Sequence, residues 1–185
     1  MLADKNVLAY EIRRLGPDPG RDIQDSVVAD LMIHDLDVVR SLVDEDPVQF
    51  TAAGRTDEKH ATATLTFSDD IVATLTASRV TQRKIRELGI ATDDGYIHVD
   101  YLDRRVEIYR GSMRQMIQTD DTPRYHHESV IERPLVENTE PLRNELKSFL
   151  AAVNGDQKPV VTAEDGLAAI RLAKMIEAEA FPDEV

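Results

Sequence analysis

Between residues 60 and 109 the strand-forming runs follow one another with almost no connecting chain, and this spacing narrows the possible folds more than any other feature. His60–Phe67 alternates, Ser68-Asp69-Asp70 supplies turn chemistry, and Ile71–Arg79 alternates again. Lys84–Ala91, the Thr-Asp-Asp-Gly95 turn, Tyr96–Leu102, the tight Asp103-Arg104 turn and Arg105–Tyr109 continue the pattern. A parallel pair needs a crossover of about a dozen residues or more, so runs joined this closely must pair antiparallel. Pro47–Ala53 and Val7–Arg14 are further strand candidates.

Helical periods flank this meander. Val27, Val28, Leu31, Leu36, Val38, Val39 and Leu42 recur at three- and four-residue steps, which predicts one amphipathic helix over 25–42. Asp25 or Ser26 can cap it, and Asp44, Asp46 and Pro47 stop it. Leu15-Gly-Pro-Asp-Pro-Gly-Arg21 is an irregular loop leading into that helix. Residues 111–139 are a polar excursion with one edge strand around Ser129–Pro134. Two helices close the chain. Pro141–Val153 gathers Leu142, Leu146, Phe149, Leu150 and Val153 on one face and ends at Asn154-Gly155. The second, after Thr162 or Ala163-Glu-Asp, carries Leu167, Ile170, Leu172, Met175 and Ile176.

The predicted class is α+β: one domain over 1–185, a broad, largely antiparallel sheet with helices on one face. The other face is left uncovered, and an apolar face there would need another chain or another domain; at least a homodimer through that face is expected.

Charge and composition exclude several classes. With 35 acidic against 22 basic residues and a net charge of −13, the field repels nucleic acid and anionic membrane. Arg outnumbers Lys and Asp outnumbers Glu, as on a salt-adapted, halophilic surface. There is no Cys, which removes thiolate chemistry and disulfides. No apolar run approaches the ~20 residues of a membrane span. The opening Met-Leu-Ala-Asp-Lys lacks a secretory pattern, so the cytoplasm is expected.

The chemistry concentrates on the first helix. Asp30, His34 and Asp37 stand at i, i+4 and i+7 and share one stripe, where a carboxylate can orient an imidazole for proton transfer. A solvated, purely structural stripe is the competing reading. Two carboxylates and one imidazole on a single helix lack the angular spread of a metal site, so no metal is expected. Arg79, Arg83, Lys84 and Arg86 lie within eight residues, and with Arg13 and Arg14 they form either an anion pocket or a set of surface salt bridges. His126-His127, His60 and His98 receive no role. The glycines are isolated, so neither a Gly-x-Gly-x-x-Gly turn nor a P-loop can be written, and no Gly-x-Ser-x-Gly elbow occurs.

Asp30-Leu-Met-Ile-His34-Asp35-Leu-Asp37 resembles the Asp-x-x-x-His-Asp-x-Asp helix of the Gfo/Idh/MocA family of NAD(P)-dependent oxidoreductases. The Arg-Leu-Gly-Pro approach, the Phe-x-Asp-Asp and Asp-Asp-Gly-Tyr-Ile turns, and the ending Glu140-Pro-Leu, Phe149-Leu, Pro159 and Glu164-Asp-Gly-Leu follow in the family's order. The resemblance therefore covers essentially the whole chain. It implies a fold like the C-terminal domains of dihydrodipicolinate reductase and glyceraldehyde-3-phosphate dehydrogenase. It also implies catalytic roles for His34, which handles the proton, and Asp30, which contacts the substrate beside it. Asp37, Arg13, Arg14, Arg79, Arg83, Lys84 and Arg86 are then the candidate substrate-binding residues.

Among subgroups the chain looks most like UDP-N-acetylglucosamine 3-dehydrogenases, whose nucleotide-sugar diphosphate would suit the basic cluster. The family's Rossmann domain, with its Gly-rich turn and Glu-Lys-Pro segment, has no counterpart here, and Asp25-Ser26-Val27 stands where the family tends to have Gly. The expectation is a substrate-binding and oligomerisation half. NAD or NADP belongs to the full family enzyme, no cofactor is expected to bind this chain alone, and a separate Rossmann chain is a possible partner. The alternative is a non-catalytic sugar-binding or dimerisation module.

Overall fold

The computed structural model describes residues 5–21, 23–110, 115–119, 122–126, 130–136 and 140–182. The chain enters as β1 (Val7–Leu15), passes through a π turn (Val28–Met32) and α1 (Ile33–Val43), and returns as β2 (Gln49–Gly54), β3 (His60–Thr66) and β4 (Val72–Ser78). The meander follows as β5 (Ile85–Thr92), β6 (Gly95–Asp100) and β7 (Arg105–Arg110). Then come the hairpin β8 (Gln115–Thr119) and β9 (Thr122–His126), the edge strand β10 (Val130–Glu132), α2 (Pro141–Val153) and α3 (Ala163–Ala180). Eight strands form one sheet in the order β10-β7-β6-β5-β1-β4-β3-β2, with β8-β9 as a separate pair. His127 lies outside the described residues.

The α+β expectation holds, and every close-spaced pair is antiparallel. One feature was not foreseen. β1 sits in the sheet's interior, antiparallel to β5 and parallel to β4. That parallel pair is possible because α1 and the β2–β3 hairpin together provide the long crossover it needs. β1 is accordingly flanked on both edges, and Tyr10 and Ile12 are buried.

Alternation assigns the faces. Ala61, Ala63 and Leu65 of β3 and Ala73, Leu75 and Ala77 of β4 are buried in the core with α1 and α3 residues. Thr62, Thr64, Thr74 and Thr76 take the opposite face, where the Thr62 and Thr76 hydroxyls meet at 3.3 Å across the strands. Over β3 and β4 the open face is thus a threonine surface.

The first helix differs from the uniform helix expected over 25–42. Val28–Met32 is a π-helical turn, and α1 proper continues over Ile33–Val43 to a left-handed Asp44. Ser26, rather than Asp25, caps the start: its Oγ accepts the Ala29 N–H at 3.1 Å and donates to the Glu177 carboxylate of α3. α3 lies against α1, the π turn, β2 and β3. At its far end the Phe181 ring covers Gly54, where any Cβ would collide with it. α2 buries none of its residues. Among the described residues no helix is long and apolar enough to cross a membrane.

Candidate active site

The period of two in β1 separates Arg13 from Arg14, which the sequence reading had grouped. Arg14 points toward the helices, and its Nε and Nη2 donate to the two Asp35 carboxylate oxygens at 2.8 and 2.6 Å. Asp35 is buried, so this bidentate pair pins the helix to the sheet interior, and it raises the pKa of the Arg14 guanidinium further. Arg13 stands on the open face and pairs with Glu87 at 2.5 Å, away from the helix.

Arg79 leaves the end of β4 and is 7% exposed. Its Nη2 donates to Asp30 at 2.5 Å and its Nη1 to the Asp25 carbonyl at 2.8 Å, while its own N–H donates to the Lys59 carbonyl at 2.8 Å. These bonds fasten the π turn to the sheet. π turns inserted in α-helices recur at functional sites, and here the widened turn presents Asp30 to Arg79 rather than to His34. His34 is exposed, and among the described residues no hydrogen bond or ion pair engages its ring.

A cleft of about 470 Å³ opens between the 15–23 loop, the π turn and the end of β4. Arg14, Arg21, Arg79, Lys84 and Arg86 line it against one carboxylate, Asp30, with Leu15, Pro17, Ile23 and Leu31 as apolar walls. The two sequence readings of the basic cluster therefore apply to different members. Arg14 and Arg79 are consumed by Asp35 and Asp30, whereas Arg21, Lys84 and Arg86 have no ion pair among the described residues. Three cations without an ion pair among the described residues thus share one cleft of a strongly acidic protein, which favours an anionic ligand there. Arg83 does not line the cleft. Asp37 faces a second one, of about 460 Å³, with Arg40, Asp44, Val160, Val161 and Asp165. Asp30, His34 and Asp37 thus do not converge, and among the described residues no group of three His, Asp or Glu is placed to hold a metal ion.

Asp35, Tyr101 and Arg21 escaped the sequence reading. Asp35 had a readable signal: it lies three residues after Met32 and four before Val39, on the buried stripe, where an acid requires a cation. Tyr101 lies near the Arg14–Asp35 pair; burial and then the Asp35 charge push its hydroxyl pKa up. No local pattern marks it.

A dinucleotide's pyrophosphate would need a helix start with free N–H groups beside a glycine turn. At the β1–α1 junction the Gly16 N–H donates to the Ser78 carbonyl, Ser26 caps the helix, and the Glu177 carboxylate adjoins the cap. That junction does not fit the group.

The sheet, its helices and the cation-lined cleft define an α+β domain built around one helix start. The family model described as "Oxidoreductase family, C-terminal alpha/beta domain" matches residues 18–183, and the chain belongs to this family, the Gfo/Idh/MocA oxidoreductases. The UDP-N-acetylglucosamine 3-dehydrogenase of Acidithiobacillus ferrooxidans is 40% identical over 103 residues, which is 54% of this chain and 33% of that protein. A solved structure of that dehydrogenase superposes with a TM-score of 0.82 at 28% identity, covering 96% of this chain and 56% of that one. The myo-inositol 2-dehydrogenase structure from Lactobacillus plantarum, at 20% identity and a TM-score of 0.65, covers 95% of this chain and 55% of its own and shares the fold. The chain therefore spans little more than half the length of these solved relatives, and its sequence match covers about a third of the curated one.

Proposed function

We infer that this domain is the substrate-binding and oligomerisation half of an NAD(P)-dependent dehydrogenase that oxidises a hydroxyl of a nucleotide sugar. The observation that carries this reading is the cleft beside Asp30, with three cations that have no ion pair among the described residues, in a chain of net charge −13. Arg21, Lys84 and Arg86 hold the diphosphate through charge-assisted bonds, and the sugar extends along the helix from Asp30 toward His34. Arg79 fixes the Asp30 carboxylate so that it can accept a sugar hydroxyl without first reorganising. His34, exposed one turn further on, takes the hydroxyl proton. Nicotinamide, bound by the other half of the enzyme, supplies the hydride acceptor. This chain alone binds no dinucleotide, in keeping with its closed β1–α1 junction. The open face of the sheet, with the threonines of β3 and β4, serves as the contact between copies.

Calorimetric titration with UDP-N-acetylglucosamine, UDP and N-acetylglucosamine tests the reading. The nucleotide sugar and UDP bind, and Lys84→Ala with Arg86→Ala weakens both about tenfold or more, the scale of a lost charge-assisted bond. His34→Ala leaves UDP affinity unchanged. Equal affinity of the double variant and the parent, or no binding of UDP, sinks the proposal.

A further inference from the structure

One side chain beside the cleft has a place in the sheet and no task yet. In the β1–β5 register Arg14 stands opposite Arg86. The β5–β6 ladder runs on one residue past Asp100, because the Tyr101 N–H donates to the Arg86 carbonyl at 3.0 Å. Directly opposed residues of antiparallel strands send their side chains to the same face, so Arg14, Arg86 and Tyr101 form one row across three strands. Alternation puts that row on the helix side of the sheet. Ile12, Leu88 and Val99, each two residues away from a member of the row, belong to the core or pack against it.

The row passes from an occupied position to an open one. Arg14 is held by Asp35, and Arg86 lines the cleft with no ion pair among the described residues. Tyr101, one strand further on, is 44% exposed. Its hydroxyl end is turned inward, where burial and then the Asp35 charge push its pKa up. Tyr10, by contrast, is buried, and Tyr96 and Tyr109 meet each other with ring centroids 6.3 Å apart. Tyr101 has no ring partner among the described residues.

The order along the sheet matters as much. Arg79, with Asp30 bonded to it, leaves the end of β4, and Arg14, Arg86 and Tyr101 follow on β1, on β5 and just past β6. Neighbouring strands lie about 4.8 Å apart, so roughly 14 Å separates the two ends, with the cations between them. A sugar on one side of a diphosphate and a nucleoside on the other is of that order of length. Cations hold a diphosphate whatever it carries, and so they read neither end. Asp30 can read the sugar by hydrogen bonding. An aromatic face reads the other end, because every base offers a π-face to stack on it.

We propose that Tyr101 is the platform on which the base of the nucleotide sugar stacks, so that the nucleoside lies beside the end of β6 and the sugar is delivered toward α1. This rests on the function argued above and adds the direction in which the substrate lies. A dinucleotide laid along the same row would put its second nucleoside on Asp30 and leave no room there for the hydroxyl to be oxidised.

Calorimetry of the whole chain, with UDP and inorganic pyrophosphate as probes, compares the parent with Tyr101→Ala and Tyr101→Phe, each checked for folding by circular dichroism. Tyr101→Ala should weaken UDP binding about tenfold, the scale of one base stacked on an aromatic ring, and leave pyrophosphate affinity at the parent's value. Tyr101→Phe keeps both affinities. The uracil proton resonances of UDP should move upfield on binding to the parent and to Tyr101→Phe, as for protons held over a ring face, and not on binding to Tyr101→Ala. Unchanged UDP affinity in Tyr101→Ala overturns the proposal. So does an equal loss for UDP and pyrophosphate, which would make Tyr101 a support of the Arg14–Asp35 pair. Loss of UDP affinity in Tyr101→Phe also overturns it, since the hydroxyl and not the ring is then the contact, as does displacement of UDP by NAD at comparable concentration. The two readings separate on the parent: UDP binding that ignores Tyr101 removes this inference alone, whereas no UDP binding removes the substrate assignment and this inference with it.

Discussion

α2 and α3 are consecutive, amphipathic and correctly terminated, yet they have opposite fates. α3 buries Ala169, Leu172, Ala173, Ile176 and Ala180, whereas α2 buries nothing. The difference lies in residue size. Three of the five buried α3 residues are alanines, which let the helix approach α1 and β2 closely enough to interlock. The large α3 residues Leu167, Ile170 and Met175, which the sequence reading counted among its apolar residues, are 48%, 46% and 54% exposed. A helical period shows that a face exists; small residues within it show where another element comes close.

The sharpest way to break this contrast is Ile176→Ala. Ile176 is fully buried, and its truncation leaves a cavity under α3. A loss of about 3 kcal/mol is expected, within the usual range for deleting a buried aliphatic side chain. Urea unfolding measures it as a lowered midpoint at unchanged slope. A loss below about 1 kcal/mol would mean that α3 is as loosely held as α2.

Legibility followed the range of the interaction. The hairpin between β3 and β4 and the β5–β7 meander could be read because turn residues and alternation are local. Ser26 was one of two capping candidates on the same basis, and it caps; Thr162, placed only as preceding the last helix, caps as well. The central place of β1 depends on pairing Tyr10 with Ala73 and Ile90, partners more than 60 residues away that no spacing rule specifies. The site divides in the same way. Asp30 and the Arg79–Arg86 cluster stand out by type and position, but which cation meets which carboxylate is decided in three dimensions. Arg14 meets Asp35, Arg79 meets Asp30, and Arg13 leaves the site altogether because adjacent strand residues point to opposite faces.

A smaller effect distinguishes the two helix starts. The Thr162 hydroxyl and N–H both donate to Asp165, at 2.7 and 2.8 Å, while the Asp165 N–H donates back to the hydroxyl, a complete capping box. α2 has no side-chain cap at Glu140. Thr162→Ala should therefore cost about 1 kcal/mol. The same bonds hold the Asp165 carboxyl below its ordinary value of 3.8. A depressed carboxyl stabilises the fold fully above its unfolded pKa and loses that contribution as pH falls through the folded one. Amide exchange in the first turn of α3 should accordingly accelerate from about pH 4 downward in the parent, beyond the intrinsic pH trend. In Thr162→Ala it is faster throughout and the added acid dependence is smaller. Identical profiles would remove the capping box as the cause.

The smallest expected effect makes the comparison exact in the other direction. Phe149→Ser removes a ring that is 65% exposed and packed into no core, so in the isolated chain it should change stability by less than about 0.5 kcal/mol. The same substitution at a buried aromatic position would cost several times more. Phe149→Ser should also raise solubility and reduce binding of an apolar dye, because it interrupts the apolar groove that Phe149 lines with Leu146 and Val160. A loss above about 1 kcal/mol would show that α2 is covered within the chain in solution, and the face would then be core rather than surface. Near-neutral stability with reduced dye binding keeps α2 as a surface that the rest of this domain leaves uncovered.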